Sequence, residues 1–273
     1  MFKSLMRPHE KEPVPNRGPH WAGSDPLVCI GHSHTGALQA AFLAGAAIRI
    51  NVFNFWRLPG AIEGTPQQPL LRADIAAQMK APLISMMGGG AQTVLAICAH
   101  PRPFEFILPS APGLPRDEFA ELVPYEAVKA RLADECAQFW KLTGLVASLV
   151  DGPTFHVDCP PPIADNAFIT PHMPWSMFPG RRHEVAPPFH RYRMWRLNTE
   201  LAKEYCLRTG IGFIAHPKQC EDGEGFLQQQ YSDDGIHGNA AYGVALADKI
   251  SSVVRAGRYE TDDLPPTQLR SRP

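Results

Sequence analysis

The stretch PLVCIGHSHTGALQAAFL, residues 26–43, decides the fold. Leu27, Val28, Cys29 and Ile30 form an apolar run with no polar alternation, which is the mark of a strand covered on both faces. Gly31 ends it. From about Thr35 the chain turns to small and apolar residues suited to a helix, so the segment is a strand that hands directly to a helix.

The same alternation recurs along the chain. IRINVFNFW (48–56) is β-rich, and a loop with Leu58, Pro59 and Gly60 leads to an expected helix over Arg72 to Lys80. PLISMMG (82–88) reads as a second buried strand, followed by a short helix over AQTVLAICAH (91–100), and PFEFILP (103–109) is a strand or only an extended segment. The longest helical pattern covers Pro124 to about Val150, with Pro124 suited to the first helical position and apolar Val128, Leu132, Cys136, Phe139 and Trp140 at helical spacing. Strand PTFHVD (153–158), a helix near His190 to Arg208, strand IGFIAH (211–216) and a last helix from just after His237 to about Val254 complete the series. Crossovers of this length suit parallel pairing. The expectation is a three-layer α/β/α sandwich on a five-stranded, mostly parallel sheet, flavodoxin-like in outline, forming one domain over 25–256. Residues 1–24 and 257–273 are polar and proline-rich and read as tails, and the proline-heavy stretch 159–188 reads as one long loop.

Composition excludes several classes. The chain has 273 residues, of which 44% are hydrophobic and 19% charged, so it can bury a full core. With 26 basic against 27 acidic residues the net charge is -1, and no field is present to attract nucleic acid or an anionic membrane. No apolar run approaches the roughly 18 residues of a membrane span, and the first residues lack the apolar centre of a signal peptide. The expected location is cytoplasmic. The six cysteines are scattered without a CxxC pair, which disfavours disulfides and a cysteine zinc site.

Two motifs carry chemistry. In Gly31-His32-Ser33-His34-Thr35-Gly36 the serine stands where a buried strand gives way to a helix, so its hydroxyl lies at the sheet's carboxyl edge and its own N–H at a helix start that favours negative charge. Taken alone, Ser33 reads first as a helix cap. In Asp233-Asp234-Gly235-Ile236-His237-Gly238-Asn239 a carboxylate three residues before a histidine can hold one ring nitrogen and leave the other as general base. Taken alone, this too is a capping loop.

A serine after the first strand combined with DxxH before the last helix resembles the SGNH or GDSL hydrolases, over roughly residues 25–256. The final block, DGIHGNAAYG (234–243), is the most specific match. The resemblance implies a nucleophile at Ser33, a catalytic pair at Asp234 and His237, and an oxyanion-hole N–H at Gly60 after the second strand. It implies no metal or organic cofactor, and a small-molecule or glycan ester as substrate, attacked through an acyl-enzyme. The family's asparagine after the third strand is replaced: Gly88-Gly89-Gly90-Ala91-Gln92 has Gly90 at that place, with Gln92 the nearest amide. His32 also replaces the acidic residue that usually precedes the serine. Hydrolysis and acyl transfer to another acceptor share this machinery, and loss of one oxyanion donor slows such an enzyme ~10²–10³-fold.

Two other readings stand beside this one. His32 and His34 form an HxH pair at a strand end, and with His156, His216 and Asp234 they supply the inventory for an amidohydrolase-like metal site. The missing asparagine alternatively fits a catalytically impaired relative that binds a ligand. His156 and His216 also lie within apolar β patterns and read as satisfied strand histidines. The stretches Arg181-Arg182-His183 and His190 to Arg196 suggest an anion contact or a solvated face with snorkelling arginines. In the proline-rich loop, Trp175 and Phe178 are expected either to line an acyl pocket as a lid or to pack over the core.

Overall fold

The computed structural model describes residues 26–173, 175–178 and 183–256, so both expected tails and the pair Arg181-Arg182 lie outside the described residues. In chain order the elements are β1 (Leu27–Gly31), α1 (Gly36–Leu43), β2 (Ile50–Asn54), β3 (Ile62–Gly64), β4 (Pro69–Leu71), α2 (Ala73–Ala76), β5 (Leu83–Met86), α3 (Ala91–Ala96), β6 (Phe104–Glu105), β7 (Glu121–Leu122), α4 (Tyr125–Ala147), β8 (Thr154–Val157), α5 (Asn166–Ile169), α6 (Pro188–Thr209), β9 (Gly212–Ile214) and α7 (Ala240–Ala256). Five of the strands form one sheet in the order β2-β1-β5-β8-β9, every pair parallel. The remaining four make two short pairs, β3-β4 and β6-β7.

The strand order positions the site. From β1 the chain steps to β2 on one side, then crosses back to β5 on the other, so the connections leave β1 in opposite directions. A crevice opens where they part, at the carboxyl ends of β1 and β5. Every residue of β1, β5, β8 and β9 is buried, as expected of parallel strands covered on both faces. Alternation along β1 feeds two layers: Leu27 and Cys29 join Leu38 of α1 and Tyr242, Leu246 and Ile250 of α7. Val28 and Ile30 join Leu142 and Val146 of α4 on the opposite face. Burying side chains of this size contributes about 1.5–3 kcal/mol each.

Helices α1 and α7 meet so closely that glycine is required. A Cβ on Gly243 would lie 1.9 Å from the Ala37 carbonyl oxygen. Helix propensity alone favours alanine over glycine by about 0.5–1 kcal/mol. Overpacking costs about 1–3 kcal/mol, and here the obstacle is backbone rather than a movable side chain. Gly243→Ala is therefore expected to lower the chemical denaturation midpoint, and an unchanged or raised midpoint would show that the helices separate without cost.

The structure shortens some expected elements. The helix expected over Arg72–Lys80 is the single turn α2, after which Gln78 N–H donates to Ile75 O and Met79 N–H to Ala76 O, each three residues back. The tightening precedes Pro82, which cannot continue a helix and disfavours helical backbone in the residue before it. The extended segment 103–109 contributes only β6, outside the main sheet. Pro124 sits one position before α4, with extended ψ of 133°.

The arginines of α6 are a correction. Arg191 and Arg193 are 3% and 1% exposed, so this is no solvated face. Arg193 pairs with the buried Glu105 carboxylate and donates to the Pro115 carbonyl at 2.6 Å. Arg191 donates to carbonyls of the proline-rich loop. Sequence periodicity alone does not distinguish a solvated arginine from one whose donors are taken by buried carbonyls.

Candidate active site

At the end of β1 the chain is pressed against β5. A Cβ on Gly31 would approach the Met86 carbonyl oxygen to 2.9 Å and Thr35 Cγ2 to 2.6 Å. Residues Ser33–Thr35 form a 3-10 turn, fixed by Thr35 N–H and Thr35 Oγ1, which both donate to the His32 carbonyl at 3.1 and 2.7 Å. The turn sends its two histidines to different surroundings. His32 sits among Phe55, Trp56 and Phe139, with ring centroids 6.5, 5.3 and 5.3 Å away. His34, 6% exposed, lies over the glycine run that follows β5. A Cβ on Gly89 would lie 2.8 Å from His34 Cδ2, so the imidazole fills the space a side chain there would take. Gly88 needs its positive φ of 82°, whereas a side chain at Gly90 would meet nothing within 4 Å.

The loop before α7 holds the second half of the site. Asp234 Oδ1 accepts from the N–H groups of Ile236 and His237 at 2.8 and 2.7 Å, and Oδ2 accepts from His237 Nδ1 at 2.6 Å. Burial would raise the Asp234 pKa, but the hydrogen bonds with His237 outweigh it and hold the carboxyl at about 2. Ser232 Oγ ties the loop further, donating to the His237 carbonyl at 2.7 Å and accepting from Gly235 N–H at 2.9 Å. Asn239 caps α7 by accepting from Ala241 and Tyr242 N–H, while its amide donates to Asp233 Oδ1 at 3.2 Å. Asp233 thus supports the cap rather than forming it.

Asp234 and His237 are therefore brought together, and the His237 ring lies beside that of His34 with centroids 5.0 Å apart. Ser33, the neighbour of His34 in the turn, is half-buried on the same edge. Among the described residues no hydrogen bond joins Ser33 Oγ to His237; such contacts are commonly long before substrate arrives. Burial, and then the adjacent His237 ring, push the His34 pKa down to about 3, so it is a neutral imidazole at ordinary pH. Among the described residues neither of its nitrogens makes a hydrogen bond of good geometry, although the Gly89 backbone lies close enough to oppose part of that shift.

A narrow cleft of about 30 Å³ opens beside these residues, lined by His34, Gln92, Thr93, Arg191, Trp195, Gly235, Ile236 and the run Pro160-Pro161-Pro162, among others. The proline-rich loop thus contributes its first residues to the wall. Trp175 and Phe178 instead pack against the core, with Trp175 stacked on His183 at 5.4 Å. Gln92 is buried, and its amide nitrogen donates to the Gly89 carbonyl at 2.8 Å and to Cys159 Sγ at 3.2 Å, which leaves its oxygen as the open group. That assignment makes Gln92 an acceptor rather than an oxyanion donor. Gly60 lies in an exposed turn with φ of 70°, and a Cβ there would meet only Arg72 Nη1, at 3.9 Å. Arg191 and Trp195 were not singled out from sequence as site residues; only the basic-aromatic clustering around them hinted at a contact.

The ligand set of the metal reading is dispersed. Among the described residues no group of three or more His, Cys, Asp or Glu converges as a metal site. His156 lies against Phe213 at 6.5 Å. His216 Nε2 donates to Glu221, while the single Thr199 hydroxyl hydrogen is shared between the two Asp158 carboxylate oxygens, 3.1 and 2.9 Å from Oγ1. Burial would lower the His216 pKa, but the partnership with Asp158 and Glu221 raises it. This cluster backs Trp195, whose indole N–H donates to the Cys159 carbonyl at 3.1 Å.

No protein-family model and no curated protein matches the sequence. Among solved structures, the chain is similar to a GDSL-like lipase from Bacteroides thetaiotaomicron, with 13% identity, a TM-score of 0.41, and coverage of 85% of this chain and 89% of that one. It is also similar to an alpha/beta hydrolase enzyme from the metagenome of Lake Arreo, Spain, with 14% identity, a TM-score of 0.37, and coverage of 87% and 98%. No helix among the described residues is long and apolar enough to cross a membrane.

Proposed function

We propose that the protein is a serine ester hydrolase acting through an acyl-enzyme on small acyl or acetyl esters, carbohydrate esters included. The carrying observation is the Asp234–His237 pair. The carboxylate is fixed by two backbone N–H groups and binds Nδ1 of the ring at 2.6 Å, which leaves Nε2 as the base, on the sheet edge where Ser33 and His34 lie.

Ser33 Oγ attacks the ester carbonyl carbon while His237 Nε2 takes its proton. The carbonyl π electrons move to oxygen, and the resulting oxyanion accepts from the Ser33 N–H and from the ring N–H of neutral His34. His34 takes this part because the amide hydrogens of Gln92 are already engaged. Collapse breaks the ester C–O bond, and His237 returns the proton to the departing alkoxide. Water, deprotonated by His237, then attacks the acyl carbon and regenerates Ser33. Asp234 remains ionised and holds the imidazole in the tautomer that each step needs.

Labelling with a fluorophosphonate probe tests the reading. Wild type is expected to label at Ser33 equally with and without EDTA, and Ser33→Ala to remain unlabelled. Labelling that persists in Ser33→Ala would remove the serine mechanism. Absence of labelling in wild type would favour the impaired, ligand-binding reading.

A further inference from the structure

A roomier cavity, of about 140 Å³, lies between β6 and the start of α6. A cavity of about 150 Å³ holds benzene, so this one has room for a planar group of that size. Backbone hydrogen bonds hold its frame. Glu121 N–H donates to the Pro103 carbonyl at 2.9 Å, Val123 N–H to the Glu105 carbonyl at 2.8 Å, and Ala99 N–H to the Glu184 carbonyl at 2.8 Å. Phe104 and Glu105 of β6, His190 of α6, and Asp117 and Glu184 on flanking loops line it, among others.

Two buried polar side chains face this space with capacity unused. Glu105 is 3% exposed, and Arg193 takes only one of its carboxylate oxygens, Oε2. Among the described residues the other, Oε1, accepts no hydrogen bond. His190 is 6% exposed, and its Nδ1 lies 3.6 Å from the same Oε2, beyond hydrogen-bonding reach. Its ring stands edge-on to Phe104 with centroids 5.0 Å apart, and neither nitrogen makes a hydrogen bond among the described residues. These atoms open into the cavity, unlike Arg191 Nε and Gln92 Oε1, which are sealed. Buried polar groups are ordinarily paired, and the cavity gives the missing partner its place.

The sign of that partner follows from charge. Arg193 balances Glu105, and no lysine or arginine lines the cavity. Asp117 and Glu184 are exposed at its outer side, and among the described residues neither forms an ion pair. Asp117 Oδ1 accepts from Phe119 N–H at 2.9 Å, which leaves Oδ2. The surplus is therefore negative, and these groups do not converge as metal ligands. An acceptor at Glu105 Oε1, a ring nitrogen at His190 and an aromatic wall at Phe104 suit a planar cation with several N–H donors. A guanidinium is such a cation, and it is more weakly hydrated than an ammonium, so it loses less on entering.

We propose that this cavity binds a guanidinium group, one N–H donating to Glu105 Oε1 and another to an imidazole nitrogen of His190, with Asp117 and Glu184 supplying the counter-charge. The site uses none of the groups assigned to ester hydrolysis and does not depend on that reading. Its volume admits the head group alone, so the ligand is either a free small guanidine or the arginine end of a peptide.

Calorimetric titration of the full chain at constant ionic strength with methylguanidinium, N-methylurea and tetramethylammonium tests the proposal. N-methylurea keeps the shape and loses the charge, whereas tetramethylammonium keeps the charge and loses the N–H donors. Methylguanidinium is expected to occupy one site, about tenfold more tightly than either. N-acetylarginine amide separates the two sources: its binding assigns the arginine end of a peptide, and its exclusion a free guanidine. Glu105→Gln would strip Arg193 of its counter-charge and endanger folding, so two gentler variants are measured. The exposed pair Asp117→Asn with Glu184→Gln is expected to weaken methylguanidinium about fivefold, and His190→Leu about tenfold. Absence of saturable methylguanidinium binding would overturn the proposal. Equal binding of N-methylurea or tetramethylammonium would do the same, as would an affinity unchanged in both variants.

Discussion

On the proposed serine mechanism, Asp234→Asn is expected to lower kcat by about 10⁴ while leaving KM nearly unchanged, because the substitution inverts the proton on the His237 ring. Asp234 Oδ1 accepts from two backbone N–H groups and Oδ2 from His237 Nδ1. An asparagine has one acceptor oxygen, and the two backbone donors claim it. Its NH₂ then faces Nδ1, which must become the acceptor, so the ring proton moves to Nε2. His237 can no longer accept the Ser33 proton.

Removal of the ring itself, in His237→Ala, is expected to cost on the order of 10⁴–10⁶ in kcat, since members of such a unit fail together. Asp234→Ala leaves water in place of the carboxylate and imposes no wrong tautomer, so it is expected to retain more activity than Asp234→Asn. Steady-state hydrolysis of 4-nitrophenyl acetate by the three variants measures this. A loss under tenfold in Asp234→Asn, or an Asp234→Asn more active than Asp234→Ala, would remove Asp234 from the mechanism.

The fold was legible because its evidence is local. The unbroken apolar run at 27–30 announces a strand covered on both faces, and the β-rich stretches 83–86 and 154–157, interrupted only by Ser85 and by Thr154 and His156, form the two strands beside it in the parallel sheet. The spacing of Asp234 and His237 was legible for the same reason, since a loop of three residues fixes their geometry. Other features depend on partners distant in sequence. The burial of Arg191 is decided by carbonyls 27 and 28 residues earlier, and no periodicity within α6 encodes them. Likewise Gln92 looked like an amide donor until Gly89 and Cys159 were seen to occupy its nitrogen. The glycine run shows both cases: Gly89 is explained by His34, which sits 55 residues away, whereas nothing crowds Gly90.

Stability is expected to fall steeply as pH drops from 6.5 toward 4, well before the Asp234 carboxylate begins to take up protons. His34 and His156 are buried, and burial, aided at His34 by the neighbouring ring, lowers their pKa values to about 3 and about 4 from an ordinary 6.5. The sign follows from proton uptake. Between the folded and unfolded values the unfolded chain binds more protons than the folded one, so stability rises with pH in that window and is lost on acidification. Each group contributes about 1.4 kcal/mol per pH unit. Two groups over two units amount to on the order of 5 kcal/mol, against a typical total of 5–15 kcal/mol. His216 acts in the opposite sense, since its raised pKa adds stability as pH falls through the same region, but it is one group against three, because burial also pushes the half-buried His32 down to about 4. Asp234, held at about 2, adds its own loss only below the ordinary 3.8. Urea midpoints measured from pH 7.5 to 4.5 should therefore decline through the histidine range, and His156→Leu should flatten the decline by removing one titrating group. A midpoint constant over that interval would mean that the buried rings take up protons as readily in the folded protein as in the unfolded chain, and would remove burial as the cause of the decline.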